Sequence, residues 1–263
     1  MIAGARREEI RTLLIEAGAV TVSQLQDRFG ISPMTARRDL DALERQGSAR
    51  RTHGGAVLPT LIAPEDSFTK RVGVAADAKL RLADAAFALL KPGETLFLDS
   101  SSTAYFLARK IAQGGRPVRV LTNSGPVMEV LTAAEDVELY VIGGAHRRLT
   151  GSFVGPSAVR MIREHFADRA FLSVTGLARY QVLTDADGLE AAVKRAMIEQ
   201  SGEAVLLLDA SKLATHGKHA VAQLSQLSLV LADGLTAEDA RRLGAEGVPT
   251  LGVFPGANGE AAP

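Results

Sequence analysis

Apolar side chains recur at helical spacing near the start of the chain. In ARREEIRTLLIEAG, Ile10, Leu13, Leu14 and Ala17 fall three or four residues apart, and Gly18 ends the pattern. TVSQLQDRFG follows, with Thr21 and Gln24 spaced as a capping box, Leu25 and Phe29 as the apolar face and Gly30 as the turn. ISPMTARRDL then restarts a helix. Ser32 is a good N-cap, and Pro33 fits the first helical position, where its missing N–H costs nothing. Ala36, Leu40 and Leu43 form the buried stripe of this third helix and Gly47 closes it. Two short helices joined by a glycine turn, after a preceding helix, predict a helix-turn-helix.

The rhythm changes further on. Residues 57–75 carry two prolines and no clear period, which predicts a partly extended linker. Beyond them, near-continuous apolar runs occur at ETLFLDS, VRVLTNS, VELYVIGG, RAFLSVTG, AVLLLDAS and LSLVLADG, with a weaker one at PTLGVFP. Helical stretches such as DAKLRLADAAFALL, TAYFLARKIAQ, PSAVRMIREHF, EAAVKRAMIEQ and AEDARRL lie between them. Strands of this kind alternating with helices predict a mostly parallel sheet covered on both faces. The expected layout is a helix-turn-helix domain over 1–57, a linker over 58–75, a larger α/β domain over 76–255 and a tail over 256–263. The overall class is α/β.

Composition narrows the function classes. Apolar residues make up 46% of the 263, enough for a substantial core. The formal net charge is zero, which argues against polyelectrolyte-like binding of nucleic acid by the whole molecule but not against a local basic face. With no cysteine, neither a disulfide framework nor a thiolate metal site is available, and no metal or cofactor is expected. No run approaches a membrane span and the N-terminus lacks a signal-peptide core, so the expected location is the cytoplasm.

The buried stripe of the third helix leaves Met34, Thr35, Arg37 and Arg38 on its exposed first turns. A recognition helix carries its base contacts there: arginine forks match guanine edges or phosphates, and threonine offers a hydroxyl and a methyl. Ser32 starts that surface. The segment SARRTHGGAV adds Arg50, Arg51 and His53 before two glycines, which predicts a small basic hairpin beside the helix. Asp39, Asp41 and Glu44 belong to the opposing reading, an ordinary solvated face.

The run ISPMTARRDLDALERQGSARRTHGGA resembles the signature of the DeoR family of bacterial transcription regulators, in which Ser32, Thr35, Arg37, Arg38, Asp39, Leu40, Leu43, Glu44, Gly47, Arg51, His53, Gly54, Gly55 and Ala56 all match. Ala36 departs from the usual isoleucine. The resemblance implies a winged helix-turn-helix that binds DNA sequence-specifically.

In the larger domain, small and hydroxylated residues gather at the ends of the apolar runs, where a parallel sheet binds its ligands. They are Asp99, Ser100, Ser101, Ser102 and Thr103, then Thr122, Asn123, Ser124 and Gly125, then Gly143 and Gly144, Thr175 and Gly176, and Asp209, Ala210, Ser211 and Lys212. A strand followed by SSST and a helix offers hydroxyls and free N–H groups at a positive helix end, a seat for a phosphate. Lys194 and Lys212 are candidate cations. Neither a Walker pattern nor Gly-x-Gly-x-x-Gly occurs. Residues 76–235 resemble the DeoR effector domain, which implies a ribose-5-phosphate-isomerase-like fold and a phosphorylated sugar or sugar derivative as inducer. Ser101 stands where that family often has glycine, and Leu213 replaces a usual phenylalanine.

Two function classes follow. The leading one is a homo-oligomeric repressor of a carbohydrate-catabolism operon, released from operator DNA by a sugar phosphate. The alternative is a sugar-phosphate isomerase with a DNA-binding head, in which Asp99, Asp209, Glu190 and Lys194 would supply the acid–base groups.

Overall fold

The computed structural model describes residues 2–46, 48–52, 54–57 and 65–253, which form two compact units, Met1–Ala63 and Pro64–Pro263. Four expectations fall outside the described residues: the helix stop at Gly47, His53, the first part of the linker and the tail.

The first unit runs α1 (Ala3–Ala17), β1 (Ala19–Thr21), α2 (Val22–Phe29), α3 (Pro33–Arg45), β2 (Arg50–Thr52) and β3 (Gly55–Val57). The capping signals read from the sequence are formed. Thr21 Oγ1 accepts from the Gln24 amide at 3.1 Å while Gln24 Oε1 accepts from the Thr21 amide at 2.8 Å. Ser32 Oγ accepts from the Thr35 amide at 3.2 Å, with Pro33 opening α3. Gly30 ends α2 in the left-handed region, φ 62°, which turns the chain into α3. Ile10, Leu14, Leu25, Ala36, Leu40 and Leu43 are buried in one cluster with Val20, Ala49 and Ala56. The three strands pair antiparallel in the order β1-β3-β2, so β2 and β3 form a wing stitched to the helices by β1.

Asp39 does not fit the opposing reading of a solvated face. It is buried rather than solvated, receiving Arg6 at 2.6 Å and Arg7 at 3.3 Å. The reason is positional: Asp39 shares the inward face with Ala36, Leu40 and Leu43, and only a cation from α1 makes its burial tolerable.

The second unit opens with α4 (Phe68–Gly73), α5 (Ala76–Ala88), β4 (Thr95–Leu98), α6 (Ser102–Gly114), β5 (Val118–Thr122), α7 (Gly125–Leu131) and β6 (Val137–Val141). It continues with β7 (Ala145–Arg147), β8 (Ser152–Val154), α8 (Pro156–Arg163), β9 (Ala167–Leu172), β10 (Gly176–Ala178), β11 (Val182–Asp185) and α9 (Gly188–Glu199). It ends with β12 (Ser201–Asp209), β13 (His219–Gln223), β14 (Leu229–Asp233), α10 (Ala237–Gly244) and β15 (Thr250–Val253).

Seven strands form one parallel sheet in the order β15-β14-β12-β9-β4-β5-β6. Alternate residues feed two cores. On β12, Ala204, Leu206 and Leu208 face the cluster that holds α8, α9 and α10, while Val205 and Leu207 face the one that holds α5, α6 and α7. The strand order reverses between β4 and β9, which makes the crevice beyond their carboxyl ends the topological switch point of the sheet.

Residues 65–75, expected in the linker, belong to this second unit. Phe68 donates its amide to the Leu149 carbonyl at 2.9 Å and packs edge-on against Tyr105, 5.3 Å between centroids. Smaller elements unforeseen in the sequence are β1, α7, the β7–β8 hairpin and the antiparallel set β10-β11-β13.

Candidate functional site

On α3, Met34 is 57% exposed, and Arg37 and Arg38 are exposed one turn further on. Thr35 is half-buried, its hydroxyl 3.0 Å from that of Ser32. The local fold causes this display: the Ser32 cap and Pro33 fix where the helix starts, and the Ala36–Leu40–Leu43 stripe fixes which face points outward. Arg50 lies exposed on the wing. Arg51 is used differently. Its Nε reaches Asp41 at 3.0 Å, its Nη1 donates to the Gly55 carbonyl at 3.0 Å, and its amide donates to Glu44 at 2.8 Å. Arg51 thus ties the wing to α3 through Asp41 and Glu44, both of which stay exposed to solvent.

The second unit gathers its polar residues at the switch point. Asp99, fully buried just beyond β4, accepts from the Ser101 amide at 3.0 Å and from the Ser173 amide, beyond β9, at 3.1 Å. Lys194 of α9 adds a contact at 2.5 Å to Asp99 and lies 3.5 Å from Asp185. Burial alone would lower the lysine pKa, but Asp99, Asp185 and Glu190 outweigh it and hold the pKa above the ordinary range. Burial instead raises Asp185, against the pull of Lys194.

Ser101 caps α6, its Oγ accepting from the Ala104 amide at 3.1 Å, and Ser102 and Thr103 are buried in the first turn. Ser100 donates to Glu190 Oε2 at 2.9 Å. Glu190 is the hub of the crevice. Its Oε1 also receives Thr150 at 3.0 Å, Ser152 at 2.5 Å and Arg147 at 2.9 Å. Burial would raise its pKa, yet Lys194, the Ser152 and Ser100 hydroxyls and Arg147 together keep it below the ordinary carboxylate value.

Asn123 and Ser124 follow β5. Asn123 donates Nδ2 to the Phe153 carbonyl at 3.0 Å, and its buried Oδ1 has no partner among the described residues. Ser124 caps α7, its Oγ accepting from Val127 at 3.3 Å, and bridges backbone to Ser152. Gly143 and Gly144 lie next along the sheet. A Cβ at Gly144 would sit 2.6 Å from the Val154 carbonyl, so this glycine admits the chain's own β8. At Gly143 a Cβ would meet nothing within 4 Å.

A second, basic side of the crevice was largely missed in the sequence. Lys79 of α5 is buried and donates to the Arg71 and Val74 carbonyls, both at 2.5 Å, capping the end of α4. Burial, then the charge of Lys212, lowers its pKa to about 8, with Asp209 opposing and Arg71 assisting. Lys212 is half-buried on the turn after β12, where Asp209 accepts from the Ser211 amide at 3.1 Å. Arg71 reaches the Ser100 carbonyl at 3.5 Å. Ser100 therefore has Arg71 at its carbonyl, with Lys79 and Lys212 clustered beside that arginine, and Glu190 at its hydroxyl. The spacing of Lys79 before Leu82, Ala83 and Ala86 was the available signal: it sits on the apolar stripe of its own helix.

A winged helix-turn-helix with an arginine pair on its capped third helix, joined to an α/β unit with a polar switch-point crevice, defines a DNA-binding transcriptional regulator with a sensor domain. A family profile described as a DeoR-like helix-turn-helix domain matches residues 6–61, and one described as the DeoR C terminal sensor domain matches 74–234. The chain belongs to the DeoR family.

The lactose phosphotransferase system repressor of Lactococcus lactis subsp. lactis is 34% identical over 209 residues, spanning 79% of this chain and 82% of its own. The HTH-type transcriptional regulator GlpR of Haloferax volcanii is 33% identical over 241 residues, 92% of this chain and 94% of its own. The putative aga operon transcriptional repressor of Escherichia coli O157:H7 is 31% identical over 249 residues, 94% and 92%. A solved ribose 5-phosphate isomerase A from Methanocaldococcus jannaschii aligns with 52% of this chain and 54% of its own at 22% identity, with a TM-score of 0.39. Among the described residues, no helix is long and apolar enough to cross a membrane.

Proposed function

We propose that this protein represses a carbohydrate-catabolism operon and is released from its operator by a phosphorylated sugar or sugar derivative. The observation that carries the sensing half is the two-sided crevice. Its cations, Arg147 among them, and the N–H groups opening α6 suit phosphate oxygens, and its carboxylates suit sugar hydroxyls. The name of the lactose phosphotransferase system repressor supports a sugar-linked role. On the DNA side, Met34, Thr35, Arg37 and Arg38 supply base and phosphate contacts, with Arg50 on the wing reaching backbone. The protein acts in the cytoplasm as a homo-oligomer, because one helix-turn-helix reads too short a site alone.

The isomerase reading requires a carboxylate base at the substrate C–H. Lys194 is engaged by Asp99 and Asp185, Glu190 by four donors and Asp209 by Ser211, a commitment that favours binding over turnover. The test is binding to DNA upstream of the gene itself, with and without a set of pentose and hexose monophosphates. Release by one of them is the expected result. Turnover of any of them, or no specific DNA binding, would sink the proposal.

A further inference from the structure

Arg147, at the end of β7, is held by three carboxylates at once. Glu65 takes its guanidinium in a bidentate fork at 2.6 and 2.7 Å, Glu190 stands at 2.9 Å and Asp187 at 3.3 Å. These three are not equivalent. The Glu190 side chain is 4% exposed and fixed by Ser100, Thr150 and Ser152 as well. Asp187 spends Oδ1 on the cap of α9, receiving Leu189 at 2.8 Å and Glu190 at 3.2 Å. Glu65 is 21% exposed, and among the described residues its side chain pairs with Arg147 alone. It comes from no strand or helix but from the chain just before α4. Of the three, Glu65 is the carboxylate whose release leaves no buried charge uncompensated.

A guanidinium fork accepts a phosphate or carboxylate in the same bidentate geometry that Glu65 uses. Through Glu190 and Ser100, this fork is joined to the switch-point crevice. Glu65 is also among the first described residues of the second unit after the segment that leaves the DNA-binding unit.

We propose that Glu65 is an internal stand-in for the effector: in the empty sensor its carboxylate occupies the Arg147 fork, and an oxyanion of the bound effector displaces it. The proposal rests on the regulator reading above and adds the element through which occupancy reaches the DNA-binding unit. Release of Glu65 frees the start of the second unit, and operator affinity falls. The device is reciprocal, so whatever removes Glu65 from the fork also makes effector binding easier.

The test compares the full-length protein with Glu65→Gln, using Glu65→Asp as a conservative variant and Glu199→Gln as a control; Glu199 pairs with Arg163 at 3.3 Å on the surface. Binding is measured to DNA upstream of the gene, and by calorimetry to inorganic phosphate and to the same set of sugar monophosphates. Glu65→Gln is expected to bind the anions on the order of ten-fold more tightly and DNA on the order of ten-fold more weakly without any ligand. Glu65→Asp should fall between it and wild type, and Glu199→Gln should match wild type. A merely structural loss would weaken both kinds of binding. Glu65→Gln that binds anions no more tightly than wild type, or holds DNA as wild type does, overturns the proposal. If wild type binds neither the DNA nor any of the sugar phosphates, the regulator reading itself fails.

Discussion

Arg37 and Arg38 stand on the exposed face of α3, and among the described residues no ion pair involves either. Removing one therefore leaves no buried partner behind. Arg37→Ala and Arg38→Ala are each expected to cost roughly 1–3 kcal/mol of operator affinity if the side chain reads a base, with relaxed preference at that position. A phosphate contact would instead weaken all sequences alike and reduce the salt slope by about one. Fluorescence anisotropy on the promoter fragment and point-mutated copies of it separates the two, with circular dichroism unchanged.

Lys79 gives a residue-scale prediction in pH. Its folded pKa of about 8 lies below the ordinary 10.5, so the unfolded chain binds more protons between those values. Stability from this group is fully present above about 10.5 and is lost as pH falls through about 8. A neutral amine keeps two N–H donors, enough for the Arg71 and Val74 carbonyls it serves. Urea titrations at pH 7.5 and 9.5 should show this contribution rising with pH, and Lys79→Met should remove it. A wild-type slope no different from that of the variant would refute the assignment.

At the scale of elements, α1 and α3 are joined by Arg6 and Asp39, which are buried together. Asp39→Ala removes the buried carboxylate that pairs with Arg6 and Arg7, and breaking a buried pair typically costs about 3–5 kcal/mol. The thermal transition of the first unit should drop, while effector binding by the second unit is unchanged. Gly176, at the start of β10, is a second tight point. A Cβ there would lie 1.8 Å from the Thr215 carbonyl, so Gly176→Ala should push the 214–217 loop off the sheet and lower the melting temperature of the second unit.

The same elements show what could be read in advance. The seven parallel strands were legible because most lie in near-continuous apolar runs, the central ones feeding two cores and β15 the weakest, and the caps at Thr21 and Ser32 were legible because capping is local. Strands β7, β8, β10 and β11 are three or four residues long and lie outside any long apolar run, so they carry too little periodicity to stand out. In the crevice, the SSST loop and Lys194 were legible as candidates, but their burial and partners were not. Asp99 meets Lys194 across 95 residues and Glu190 meets Ser100 across 90, distances no spacing rule covers. Asp39, Lys79 and Lys194 did leave a trace. Each is a charge sitting on the apolar stripe of its own helix.

For the molecule as a whole, sensing and DNA binding in the proposed repressor are two readings of one coupling free energy. If a sugar phosphate weakens operator affinity by some factor, saturating operator DNA must weaken that sugar phosphate by the same factor. Calorimetry with and without a promoter oligonucleotide checks this directly. Unequal factors would point to two separable activities rather than one coupled device.

The pairing order of the large sheet sets a timetable for synthesis. The contacts of the first unit close within its own 63 residues, β1 meeting β3 between Ala19 and Val57. Strand β4, by contrast, waits for β9, pairing Leu96 with Arg169, and β9 waits for β12. Local contacts form fast and distant ones slowly, and domains fold in the order they leave the ribosome. Each new chain thus passes through an interval in which its DNA-binding head is complete while its sensor is still open sheet. A stalled or clipped chain would remain there, a head with no sensor to govern it.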